Sequence, residues 1–449
     1  MDINRAQRLL ERMLSCAKAG GALAAECVWC SYGSRSFSVR DEALEKSHAS
    51  ISDCLGLRIL DREHHQGVAS LYDIDDRAAA VLCENAFRNA RHGAAEDDVV
   101  FARTQPAVPA VDLGIYDPDL VAWDPREQIE LCMEMSRQAR ALDRRVRTVR
   151  DASIFIGWEE SLTINSYGVS CQSRSTAGGI GVTLLAEDGG TVEIGGASLD
   201  GRSRAALSSR LPVDEAVART VRLLHGEPLP TGRYTLILEP EVVASFLEGL
   251  AELFFASNVC KGLTLLADKM GERVASPVVT LVDDGRMYGG MGTAACDAEC
   301  VATQRTVLLD HGRLVSWLSN LQYGKRLGTI STGNGSRGLS SLPDVDVSNL
   351  FVVPGTRSAE ELAAAYDGCF RVTELMGLHT VDSVSGDFSL AARGLYHKHG
   401  VFRPVSAVTI AGNLCEFLNK IIEVGGDLRF YDRFGGCTMV VDDIAVAGK

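Results

Sequence analysis

His225-Gly-Glu-Pro-Leu-Pro-Thr-Gly232 runs directly into Arg233-Tyr-Thr-Leu-Ile-Leu238 and then Glu239-Pro-Glu-Val-Val-Ala-Ser-Phe-Leu-Glu-Gly-Leu-Ala-Glu-Leu253. Prolines and glycines dominate the first stretch and interrupt any helix or central strand, so it reads as a boundary. Tyr234 to Leu238 is a short apolar run with the signature of a buried strand. Val242 to Ser257 then repeats apolar residues at helical spacing. A boundary that delivers the chain into a strand and then a helix divides it into two halves, 1–228 and 229–449. The class is α+β: two domains of mixed antiparallel sheets with flanking helices.

Working outward, residues 3 to 18 put Ile3, Ala6, Leu9, Leu10, Met13, Leu14 and Ala17 on one helical stripe. Strands are expected at 24–31, 36–40, 48–60 and 67–72 as an antiparallel meander, then a helix over 74–92. The acidic stretch 94–123, with three prolines, reads as a connector within the first half. Asp124, Pro125 and Glu127 suit the cap, first helical position and capping-box carboxylate of a helix to Leu142. Short β segments span 146–195, turning at Asp188-Gly189-Gly190, before a helix over 213–224. In the second half a strand is expected at 278–282. Hairpins turn at His311-Gly312 and His399-Gly400, and Ser358-Ala-Glu-Glu361 caps another helix.

Bulk properties exclude several classes. A net charge of −14 opposes a phosphate backbone, so nucleic acid is not an expected partner. No apolar run approaches the roughly 20 residues that cross a bilayer, and Met1-Asp2-Ile3-Asn4 lacks an export signal, so a cytoplasmic protein without membrane contact is expected. Thirteen scattered cysteines suit reduced, buried thiols. Cys27 and Cys30 lie in an apolar strand without a second ligand pair. Beside Cys296 and Cys300, Asp297 and Glu299 raise rather than lower thiol pKa values. There is no P-loop, GxSxG elbow or HExxH.

Six motifs in the last third are linked in order: Val372-Thr-Glu-Leu-Met-Gly377, Ser385-Gly-Asp-Phe-Ser389, Arg403-Pro-Val405, Val408-Thr-Ile-Ala-Gly-Asn-Leu414, Val424-Gly-Gly-Asp427 and Val446-Ala-Gly448. Fainter matches precede them at Gly56–Ile59, Gly67–Asp73 and Asp310–Leu318. In order and spacing these resemble the TldD/PmbA family of zinc metallopeptidases, also described as modulators of DNA gyrase. The TldD type of that family is similar to a peptidase with an HExxxH helix and a later Cys ligand. The PmbA or TldE type lacks this helix signature and pairs with it.

By register, Glu248, Gly249 and Leu253 stand where the resemblance places the first His, the catalytic Glu and the second His. This set offers no imidazole, so no metal, cofactor or catalytic residue is assigned to this chain, and zinc is expected in the partner. Glu248 and Glu252 share a face at i, i+4 and read as a solvated charged face, and Cys437 reads as structural. Glu374, Gly386, Asp387, Ser389, Gly412 and Asn413 are either turn chemistry or a peptide-holding cavity wall. The resemblance implies a subunit of a cytoplasmic zinc-dependent peptidase complex that processes unfolded or leader peptides. Its partner is a TldD-like HExxxH subunit, with a homodimer possible in isolation. Two alternatives remain open: a self-contained hydrolase with an unidentified site, and a non-proteolytic binding module of the gyrase-modulator kind.

Overall fold

The computed structural model describes residues 1–448 except 73, 76, 108–110, 209, 210 and 383, and except the side chain of residue 379. Asp73, part of the connector and part of the expected 74–92 helix therefore lie outside the described residues.

The N-terminal half is built on one antiparallel sheet. Its strands are β1 (Ala24–Arg40), β2 (Ala43–Leu60), β3 (Gln66–Leu71), β4 (Val146–Asn165), β5 (Ser170–Asp188) and β6 (Thr191–Gly201), in the order β3-β2-β1-β4-β5-β6. The short segments expected from the sequence are long continuous strands. β5 alternates buried and half-buried positions through Gly178, Gly179 and Gly181, because the neighbouring strands supply the hydrogen bonds that isolated short segments would lack. Gly189 and Gly190 take positive φ at the expected turn. The connector does not end the sheet: β1 on one side of it pairs with β4 on the other, Glu26 opposite Asn165.

Helices cover one face in two groups. α1 (Ile3–Ala19) and α2 (Ala78–Ala90) bury Leu10, Met13 and Leu82 against Trp29, Leu57 and Ile59. α3 (Pro125–Leu142) and α4 (Val213–Val221) bury Met135 and Val217 against Ile154, Ile180 and Leu184. Asp124 caps α3 by accepting from the Arg126 amide, but the capping box does not form, because the Glu127 carboxylate pairs with Arg204 at 2.7 Å.

In the second half β7 (Gly232–Leu238) is central. It runs parallel to β8 (Cys369–Met376), which leads antiparallel to β9 (Asp387–Lys398) and β10 (Val401–Asn413). On its other side β7 meets the C-terminal strand β12 (Met439–Ala447), which carries the short β11 (Ile421–Val424). A further pairing of β12 with β10, Ile410 opposite Val446, closes the sheet on itself. His399 and Gly400 turn the β9–β10 hairpin with positive φ, as expected. A second six-stranded sheet contains Leu281–Asp284, Arg305–Asp310 and Leu350–Val352.

The helix expected over 242–257 is broken. α5 runs from Pro240 to Leu250, a 3₁₀ turn follows at Ala251–Phe254, and a new helix begins at Ala256. Phe255 adopts an extended φ of −83° and ψ of 125°, and Leu253, Phe254 and Phe255 are all buried at the break. The Ser358 capping box forms at α6 (Ala359–Ala365). Among the described residues no helix is long and apolar enough to cross a membrane.

Candidate functional site

Two cavities lie end to end along α5 and share Ser245. One, of about 320 Å³, is bounded by Glu241 and Ser245, by Gly195 and Gly196 of β6, and by Arg219 of α4 and Glu374 of β8. The other, of about 400 Å³, is bounded by Glu248, Gly249 and Glu252, by Leu378 and Val381 of the β8–β9 connection, and by Leu414. Residues 241, 245, 248 and 249 of α5, with Glu252 of the 3₁₀ turn, form one helical face. It floors a groove made of the first cavity, between the two halves, and the second, which is lined by residues of the second half.

Charge pairs fix that helix where it begins. Glu239 is placed to cap α5 but makes no side-chain cap bond. Its carboxylate accepts instead from Arg222 at 2.7 Å and from Arg371 at 2.8 Å, tying α4, α5 and β8 together. Arg219 pairs with Glu241 and Glu215, and Arg429 approaches Glu215 at 2.6 Å and 2.8 Å. The sequence reading missed this cluster. Its signal was Arg219 and Arg222 at i, i+3, facing Glu239 and Glu241 just past the boundary.

At the degenerate positions Glu248 and Gly249 are exposed on the groove, whereas Leu253 is 2% exposed in the core. One carboxylate, one position without a side chain and one buried isobutyl group do not fit a tetrahedral zinc ion. Among the described residues no group of three His, Cys, Asp or Glu is placed to hold a metal. Cys437 is fully buried, its Sγ is 3.7 Å from the Val352 carbonyl, and burial pushes its thiol up to about 12.

The other predicted residues divide into two groups. Asp387 pairs with Asn413 and Phe388 with Gly412 where β9 and β10 meet. Asn413 Nδ2 donates to Asp387 Oδ1 at 2.9 Å and to the Ser385 carbonyl at 3.0 Å, while its Oδ1 accepts from the Cys415 amide and caps α7 (Leu414–Asn419). Gly386 is buried at φ +81°, a conformation that suits glycine, and its carbonyl accepts from the Leu414 amide at 2.7 Å. Ser389 and Gly412 are exposed beside this corner. Glu374 stands apart: it lies opposite Arg393, six residues along β9 from Asp387, roughly 20 Å at strand rise. It lines the first cavity, and Leu414 brings the Asn413 corner to the rim of the second.

Family models for the PmbA/TldA metallopeptidase match this chain over its central domain, residues 118–224, and its C-terminal domain, residues 231–448. The chain belongs to the TldD/PmbA family. Among its TldD/PmbA relatives, metalloprotease PmbA of Escherichia coli O157:H7 is 25% identical over 460 residues, spanning 100% of this chain and 98% of that protein. A metalloprotease of Methanothermobacter thermautotrophicus is 31% identical over 283 residues, spanning 62% of each, which is less than two thirds of that protein's length. The fold is that of the TldE crystal structure from Thermococcus kodakarensis, with a TM-score of 0.87, 21% identity, and coverage of 98% of this chain and 100% of that one.

Proposed function

We propose that this chain is the PmbA/TldE-type, metal-free subunit of a cytoplasmic peptidase pair, and that it supplies substrate-holding walls while a TldD-like HExxxH subunit supplies the zinc. One observation carries this reading. The helix face at the register of HExxxH presents Glu248, Gly249 and a core leucine, yet the groove beside it stays open over about 400 Å³. A chain that keeps the cavity and lacks the donor set suits a role in holding peptide.

Unfolded or leader peptides fit the groove as extended chains. Exposed Asp387, Ser389 and Gly412 offer acceptors and backbone at its rim, and the net charge of −14 disfavours nucleic acid. The test is to purify the chain alone and with a co-expressed HExxxH relative, measuring zinc by elemental analysis and turnover of a leader-like peptide. The expected result is no stoichiometric zinc and no cleavage by the chain alone, with chelator-sensitive cleavage by the pair. One zinc per chain and activity in isolation overturn the proposal.

A further inference from the structure

Cys171 on β5 packs against the small buried cluster that contains Cys300 of the second half, and it shares a cavity wall with Cys296. Cys171 and Cys296 line a cavity of about 310 Å³ with Cys30, Glu159, Asp297 and Arg337, so the cluster opens to small solutes. Cys300 is buried and held at φ +60°, where a residue with a Cβ is strained. The 296–301 loop that presents both thiols is stiffened by Asp297, whose Oδ1 accepts from the Glu299 and Val301 amides at 2.9 Å each. Cys30 and Cys54, directly opposite each other on β1 and β2, form a second close pair with sulfurs 3.4 Å apart.

We infer that Cys171, with Cys296 or Cys300 as resolving thiol, is an oxidation site that forms a disulfide between the two halves under hydroperoxide. Two donating thiols hold the Cys171 thiol below its ordinary range. The same contacts, together with burial, push Cys296 and Cys300 up. Asp297 adds to the rise at Cys296, the direction expected from the sequence, but contact with Cys171 is the leading cause.

In the first step the Cys171 thiolate attacks the peroxide, the O–O bond breaks, the sulfur becomes a sulfenic acid and the departing alkoxide or hydroxide takes a proton. In the second step the resolving thiol attacks that sulfur. The S–S bond forms, the S–O bond breaks, and hydroxide leaves with the thiol's proton as water. The two thiols supply the two electrons that reduce the peroxide. Closing a bond between positions 171 and 296 or 300 restrains a long loop of the unfolded chain, so the oxidised protein should melt higher.

The test treats the reduced full chain with hydrogen peroxide, blocks the remaining thiols and maps disulfide-linked peptides by mass spectrometry. The expected result is a Cys171–Cys296 or Cys171–Cys300 link, a melting point several degrees higher that thiol reductant reverses, and loss of both in Cys171→Ser. The double variant Cys296→Ser, Cys300→Ser keeps the attacking thiol and should yield a dimedone adduct at Cys171. A Cys171 that stays fully alkylatable after peroxide, a disulfide confined to Cys30 and Cys54, or no dimedone adduct in the double variant overturns the inference.

Discussion

The Arg58 guanidinium donates to the Glu299 carboxylate at 3.2 Å across 241 positions of sequence, with both side chains 1% exposed. Arg58 lies opposite Glu26 in the β1–β2 register, and Glu26 in turn meets Arg337 at 2.9 Å. Cys27 and Trp29 pack under α1, so Glu26 points to the opposite sheet face, where the second half covers it. Arg58→Ala leaves the buried Glu299 carboxylate without its cation, while Glu26 keeps Arg337, and should cost about 3–5 kcal/mol in urea unfolding. A loss below about 1 kcal/mol would show that the network does not hold the halves together.

Asp297 gives the same region a pH dependence. Burial, then the Glu299 charge, push its carboxyl up to about 7, against three backbone amides that pull it down. Its folded pKa lies above its unfolded value, so its contribution is complete below about pH 4 and is lost as pH rises through about 7. The stability of the wild type minus that of Asp297→Asn should therefore fall between pH 4 and pH 8. A difference that is flat, or that grows with pH, contradicts the assignment.

Gly249 is a helical glycine with room beside it. An added Cβ meets Leu378 Cβ at 3.7 Å, ordinary contact, and Gly249 is not among the positive-φ glycines. Gly249→Ala should stabilise the chain by about 0.5–1 kcal/mol through helix propensity. Thermal and denaturant midpoints that fall instead would mean that the groove needs the glycine backbone.

Asp387 and Asn413 separate turn chemistry from substrate holding. Asn413→Ala removes an N-cap and should cost about 1 kcal/mol, while Asp387→Ala on an exposed strand end should cost less. If the corner holds peptide, both variants lower turnover per folded complex with the HExxxH partner and leave the partner's zinc unchanged. Full turnover per folded complex would reduce the corner to a structural turn.

Much of this architecture was legible from local chemistry. The α1 stripe, the Gly189-Gly190 and His399-Gly400 turns and the Ser358 box each rest on a few adjacent residues, and each forms as read. What local pattern could not convey was pairing at distance. β1 with β4, and β7 with β12, depend on partners more than a hundred residues away, and Leu253 and Phe254, at the break after α5, lie in a core drawn from across the second half. The site divided the same way. Asp387, Gly412 and Asn413 came together because a hairpin register joins them, whereas Glu239 met Arg371 through the parallel pairing of β7 with β8 and met Arg222 from the end of α4 in the first half.

The position of β7 between β8 and the C-terminal strand has a consequence for synthesis. Leu238 waits for Met439, 201 positions later (439 − 238), before its second edge is covered. At about 5–20 residues per second that interval is on the order of 10–40 s on the ribosome. Throughout it the nascent strand offers an apolar, unpaired edge to whatever lies nearby, so a chain released before residue 439 should be a client for chaperones or proteases.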